Sequence, residues 1–455
     1  MDAYSIDSTD EFCNYAQKSG GVIEYKTIFE NTNVSAMHAT EVMHLPFDIT
    51  NPYKTHTFLD RSYLSQHEGY ISNIYIVKNL SAFFNGEYLK KIIKADTATF
   101  NVLINNYLKN YSTNYFQGAI KLDDINDFMI YILHKNAHSR VFGIISKHQS
   151  KATYLIEKLT QTFFLAPSSK YKAIEIIKKI IQDKKMNSYL HELSELIYLE
   201  LQNQISLKFG SKNISILQLI KKSPQCLQGC DKLATTMSLL KIFRGMVIIS
   251  PSRLTNILND ISLNPSVISI LNTEQAEIIT KYGTSVNIDT INKMSILHNF
   301  ITNSLLSSSP ASFLFRKLNK DITLSTGQVV KKNNIISFNI FGYYSKKRKY
   351  QQKNIEKSST KARIVKSNIA NKKKNKKHLD LLWGYGSNAC PFYEYSLIQM
   401  KIIIICIIRT YDIYAHVHET NQVHPGYTNI STVVPKSSSI VLKLKKLDWV
   451  KTYNI

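Results

Sequence analysis

Leu381-Leu-Trp-Gly-Tyr-Gly-Ser-Asn-Ala-Cys390-Pro-Phe-Tyr-Glu-Tyr-Ser-Leu-Ile-Gln-Met400 is the stretch on which the reading of this chain turns. It reads as a glycine-punctuated loop that ends on a cysteine and runs into a helix. Gly384 and Gly386 admit backbone angles and close approaches that other residues resist. Pro391 stands where a first helical residue belongs, because no N–H is needed there. The apolar run Ile402–Ile408 then carries the helix into a core. Cys390 is therefore expected at the N-terminal end of a buried helix. Backbone N–H groups and the positive dipole end both favour a thiolate at that place.

A thiolate on a tight loop suits an axial ligand of a heme iron; the alternative for Cys390 is a buried inert cysteine, since a free cysteine is commonly a small core residue. The stretch resembles the cysteine loop of the cytochrome P-450 family, the heme-thiolate monooxygenases. That family shows F-x-x-G-x-R-x-C-x-G, and fungal members often F-G-H-G-x-H-A-C-P-G. Trp383, Gly384, Gly386, Ala389, Cys390 and Pro391 fit this pattern. Asn388 stands at the usual Arg or His, and Phe392 at the last Gly.

The chain has 455 residues, of which 44% are apolar, enough for a sizeable core. Its net charge of +24 is unevenly placed. Between Lys346 and Lys377 there are 14 Lys/Arg and one acid, Glu356, so this segment carries +13. A single basic segment, rather than a basic fold, has to be explained. The five cysteines, Cys13, Cys226, Cys230, Cys390 and Cys406, are an odd and sparse set, which argues for a reducing compartment. Cys226 and Cys230 have no second ligand pair at zinc spacing and are expected to hold no metal. The first 30 residues are polar and partly acidic, and no apolar run reaches 18 residues. No transmembrane anchor is expected. The expected location is cytoplasmic or peripheral on an internal membrane.

Along the chain, residues 1–60 are poorly assignable, with Val22–Lys26 reading as a strand and Asn51-Pro-Tyr as a turn. His67 to Lys91 has a helical pattern, similar to the fungal stretch whose His and basic residue approach the heme propionates. The counterparts are His67 and Lys78. Phe128–Phe142 has helical spacing, and its closing Ser-Arg-Val-Phe-Gly looks like a structural helix of the family. Residues 151–222 give amphipathic helices broken at Pro167 and Gly210, and nothing in them marks chemistry. Leu239 to Pro265 resembles the long central helix that crosses the heme. Pro251 is expected to kink it, and Ser250 is the hydroxyl nearest the family's proton-relay threonine, whose neighbourhood is here Ile248 and Ile249.

Ser295–Pro310 looks like the family's E-x-x-R-x-x-P helix, with Asn303, Leu306 and Ser309 at those places. Losing both charges together avoids a stranded buried charge. Phe315–Phe338 reads as strand, glycine turn and strand. It is similar to the family hairpin whose Arg bonds a propionate, so Arg316 is the counterpart. Residues 343–377 read as a basic, disordered loop, and Val434-Pro435 to Leu447 as a terminal hairpin.

These readings together imply a single mainly α domain over 1–455 with small β-sheets and a cytochrome P-450-like fold. The resemblance implies a heme-dependent monooxygenase acting on a small apolar molecule, of the fungal secondary-metabolite type such as a terpenoid or cyclic dipeptide. Cys390 is the iron ligand in that reading. Arg316, His67, Lys78 and Asn388 hold the heme, and Ser250 is the catalytic hydroxyl. Electrons come from NADPH through a flavoprotein reductase, which the basic segment attracts over distance. One rival is a degenerate member that binds heme or a partner without turnover. A second rival is a nucleic-acid binder using Lys346–Lys377, but no recognised module surrounds that segment, and no nucleic-acid partner is expected.

Overall fold

The computed structural model describes residues 22–26, 31–35, 50–52, 84, 86–110, 115–116, 119–145, 148–161, 172–203, 214–222, 231–309, 313–325, 327–341, 344, 382–384, 389–415, 424–428, 432–446 and 448. Within them the protein is mainly helical with small, mostly antiparallel sheets, the expected class. The chain divides into two units, one of residues 1–53, 96–132 and 249–455, the other of residues 54–95 and 133–248.

In the first unit the run Ile402–Ile408 sits in the helix Tyr393–Thr410, where every residue from Leu397 to Ile408 is buried. An isoleucine side chain so buried stabilises by about 1.5–3 kcal/mol over an exposed one. Four further helices pack against it, Ser250–Ser262, Pro265–Tyr282, Ile288–Lys293 and Ser295–Ser308. The helix Ser295–Ser308 has no charged residue, and its first turn is capped from outside. Glu274 accepts from the N–H of Ile296 at 2.6 Å and of Leu297 at 2.9 Å. Those are donors that a helix start leaves unsatisfied.

The five-stranded sheet runs in the order Val22–Lys26, Asn31–Ser35, Ile335–Asn339, Phe313–Leu318, Thr50–Pro52. Val22–Lys26 is the expected strand. Asn51-Pro is an edge strand rather than a turn, pairing Pro52 with Arg316. An edge position tolerates a residue with no N–H to donate. The expected strand–turn–strand is richer than one hairpin. Phe313–Leu318 and Ile335–Asn339 pair antiparallel, and a smaller pair, Ile322–Thr323 with Val329–Val330, turns at Gly327 with φ +83°. The expected terminal hairpin is absent as such. Val434–Pro435 pairs with Tyr427–Thr428, whereas Ile440–Leu444 joins Tyr411–Ala415 and Ala119–Leu122.

In the second unit the helix Lys172–Gln202 packs on Gln149–Gln161, Ile216–Lys222 and Lys232–Arg244. The Ser-Arg-Val-Phe-Gly close of the helix Ile125–Val141 is structural, as expected. Arg140 is buried and donates from Nη1 to the Ile214 carbonyl at 3.1 Å. Gly143 has φ +63°, and a Cβ there would lie 2.5 Å from Ser215 Oγ. Both the turn and the close approach require glycine.

Among the described residues one helix, Lys232–Ser262, is long and apolar enough to cross a membrane, and 61% of its most apolar window is buried inside the protein. Its apolar character escapes a simple run count because Lys241, Arg244 and Arg253 interrupt it. At the expected kink the α-helical bonding pattern is interrupted. Residues Gly245–Ile249 make a π-helical turn immediately before Pro251. A residue without an N–H cannot close the normal α bond to the preceding turn, and the ladder there shifts instead.

Candidate functional site

The cysteine loop is built as a clasp. Gly384 has φ +83°, the left-handed conformation that glycine adopts without penalty. The Cys390 N–H donates to the Trp383 carbonyl at 2.5 Å, closing the loop upon itself. The Trp383 and Tyr393 rings meet edge to face, with centroids 4.9 Å apart. Pro391 is not the first helical residue. It lies in the turn Cys390–Phe392, and the helix starts at Tyr393. A buried chain of bonds then fixes the first turns. Gln399 Nε2 donates to Tyr395 Oη, and Tyr395 Oη donates to Asp96 Oδ2, each at 3.0 Å.

Cys390 is half-buried and forms no disulfide. Burial pushes its thiol up from the ordinary value, and the Phe392 N–H, bonded to the sulfur, pulls against that shift. The expected N–H donor is thus present, but burial dominates and the neutral thiol is favoured in the metal-free chain. A bound metal cation reverses this balance, because a coordinating thiol is deprotonated outright.

Ser250 is buried at the first position of the helix Ser250–Ser262, directly after the π turn. This helix packs on the helix Tyr393–Thr410. Arg316 is buried in the strand Phe313–Leu318, within the five-stranded sheet. His67, Lys78 and Asn388 lie outside the described residues, as do Gly386, Cys226, Cys230 and the segment 345–381. Of the expected site, the structure therefore places Ser250 on a helix packed against the one that follows Cys390, and Arg316 on the sheet.

Leu306 is buried, and Ser309 ends the helix Ser295–Ser308 with φ +51°. A polar brace that the sequence reading did not find ties the same helix to Ser250–Ser262. Arg253 donates from Nη1 to Ser308 Oγ at 3.0 Å and from Nη2 to the Val433 carbonyl at 3.0 Å. Ser304 Oγ donates to Asp260 Oδ2 at 2.5 Å. Burial lowers the Arg253 guanidinium to about 9 and raises the Asp260 carboxyl to about 7. Arg253 and Asp260 lie seven apart, two helical turns, so both reach one neighbouring helix. That spacing was the available signal, but many surface pairs share it.

No protein-family model matches this chain, and no curated protein matches it. Its functional reading therefore stands on the geometry of the cysteine loop and the order of its motifs.

Proposed function

We propose that this chain is a heme-thiolate monooxygenase that oxidises a small apolar molecule, with Cys390 as the proximal ligand. The observation that carries the reading is the Cys390 clasp. It is a half-buried thiol at the head of a buried helix, on a loop closed by its own N–H, with one backbone N–H directed at the sulfur. That donor set fits an axial thiolate, because a hydrogen bond to sulfur steadies the anion without blocking the metal. Heme, when bound, would supply oxygen activation, to which a thiolate ligand donates electron density. The chain's own contribution is to hold Cys390 rigid through Trp383, Tyr395 and Asp96. Arg316 offers a guanidinium for a propionate, and Ser250 places a hydroxyl beside the π turn. The basic segment Lys346–Lys377 is the docking surface for a flavoprotein reductase that draws on NADPH.

A second reading, heme binding without turnover, is favoured by one observation. The helix Ser295–Ser308 carries no Asp, Glu, Lys or Arg, and the polar ties that hold it include Ser304, Ser308 and the Glu274 cap. One preparation separates the two. The chain is loaded with heme, reduced and exposed to CO. A Soret band at the thiolate position with substrate-dependent NADPH consumption in the presence of a reductase supports the oxygenase. That band without consumption supports the binder. A chain that retains no heme excludes both.

A further inference from the structure

The helix Ile125–Val141 carries His134 and His138, four residues apart. That spacing stacks them on one helix face, with Cβ atoms about 5–6 Å apart. Both rings line one cavity of about 300 Å³, together with Lys135, Gln149, Thr153 and Glu157. Every one of these residues belongs to the unit of residues 54–95 and 133–248. The helix Gln149–Gln161 brings Thr153 and Glu157, also four apart, to the opposite wall.

Both imidazoles are held in place. His134 stands edge-on to Phe243 with ring centroids 5.4 Å apart, and His138 lies 6.0 Å from Phe142. A short chain of bonds runs up to His138. The Ile145 N–H donates to Gln149 Oε1 at 2.7 Å, and Gln149 Nε2 donates to Thr153 Oγ1 at 3.2 Å. Thr153 Oγ1 stands 3.5 Å from His138 Nε2, and which of the two donates depends on the tautomer. Burial pulls both rings below the usual imidazole value. The Glu157 charge acts on both rings, and the exposed Lys135 opposes it.

We propose that His134 and His138 together bind one divalent late-transition-metal ion, of the Ni²⁺, Cu²⁺ and Zn²⁺ class, in this cavity. Neutral imidazole is the ligand these ions share. No third imidazole, thiolate or carboxylate among the described residues converges with the pair. The protein therefore supplies two nitrogens, and water fills the other positions. The cavity has room for it, since a water takes about 30 Å³ of liquid volume. Glu157 acts as the acceptor that orients the bound waters and offsets the charge of the ion. Such a site is open and exchanging, unlike a closed four-ligand structural zinc site. It is independent of the heme reading and stands if that reading fails.

Ni²⁺ titrated into the full chain by calorimetry tests this. The tightest equivalent is expected to weaken at least about tenfold in His134→Gln and in His138→Gln, and about threefold in Glu157→Gln. His191→Gln, an exposed histidine on the helix Lys172–Gln202, should leave it unchanged. Unchanged affinity in His134→Gln overturns the proposal. Because each ring packs on a phenylalanine, a variant that does not fold is replaced by a measurement on the parent chain. One equivalent of Cu²⁺ should give an electron paramagnetic resonance spectrum with coupling to two imidazole nitrogens, whereas coupling to one or none overturns the site.

Discussion

The two ends of the helix Tyr393–Thr410 each hold a cysteine, and they treat it differently. Cys390 precedes the N-terminal end, where backbone N–H groups point outward, and Phe392 gives one of them to the sulfur. Cys406 lies in the C-terminal half, buried among isoleucines, and burial pushes its thiol up to about 12. Arg409 pulls that value down, yet far too little to make a thiolate at pH 7. The C-terminal end draws cations instead. Lys445 Nζ donates to the Ile408 carbonyl at 2.5 Å and to Asn272 Oδ1 at 2.7 Å. Arg409 donates from Nε to Gln275 Oε1 at 2.9 Å and from Nη1 to the Thr284 carbonyl at 2.8 Å. Burial raises both thiols, and a backbone N–H pulls against it at each, from Phe392 at Cys390 and from its own residue at Cys406. The two differ in place, since Cys390 stands before the positive end of the helix dipole and Cys406 in the C-terminal half.

The largest effect expected from this contrast is spectroscopic. Cys390→Ala should abolish the heme-thiolate absorption outright, and Cys406→Ala should leave it intact. If Cys390→Ala keeps that spectrum, the two ends have been assigned the wrong roles. The next effect is kinetic and needs no heme. With its thiol at about 12, Cys406 is thiolate in only about one chain in ten thousand at pH 8. Alkylation of the folded, metal-free chain, resolved peptide by peptide, should label the half-exposed Cys390 at least about tenfold faster. Equal rates would show that the Phe392 N–H and the greater access confer nothing.

Much of this contrast was legible beforehand. Gly384, Cys390 and Pro391 announce a loop that becomes a helix, since glycine and proline restrict or release the backbone locally. An interruption before Pro251 follows from the same local rule, but its π-helical form depends on how the neighbouring turns repack. Errors gathered where partners are distant in sequence. Val434–Pro435 looks continuous with Ile440–Leu444, yet the two pair in different sheets. Asn51-Pro carries a turn signal, but its pairing with Arg316 makes it an edge strand. Thr153 and Glu157 lie in a stretch that reads as plain amphipathic helix. Their meaning depends on the helix that brings His134 and His138 opposite them. The Glu274 cap and the Arg253 brace are likewise tertiary contacts, which no local pattern encodes.

A smaller effect tests the C-terminal end. Lys445→Met removes the ammonium that donates to the Ile408 carbonyl and Asn272 Oδ1, a loss of about 2–3 kcal/mol for a charged donor. Burial lowers the Lys445 ammonium from 10.5 to about 8, with Asp412 opposing. The folded state therefore holds fewer protons than the unfolded state between about pH 8 and 10.5. By linkage, the contribution of this group rises with pH across that window and is lost as pH falls through about 8. Denaturant unfolding of the parent at pH 7.5 and 10 should show this gain relative to Lys445→Met. An identical pH dependence in the two proteins would remove Lys445 from the account.

The smallest effect concerns Cys406 itself, and it sharpens the claim that this sulfur acts only as an apolar group. Its side chain is buried on a helix whose neighbouring turns are isoleucine. Removing it as Cys406→Ala deletes one buried sulfur and leaves a small void, at a cost of about 1 kcal/mol. Cys406→Ser keeps the volume closer but introduces a hydroxyl, which must bond the carbonyl one turn back, Ile402, to avoid burial unpaired. That bond is available to serine in a helix, so the cost is about 1–2 kcal/mol rather than that of an orphaned hydroxyl. Both variants should retain the parent's heme spectrum and its Cys390 alkylation rate. Denaturant midpoints measured beside those two readouts decide the matter. A shift in the heme band of either variant would tie Cys406 to the metal side of the helix, and the contrast between its two ends would then collapse.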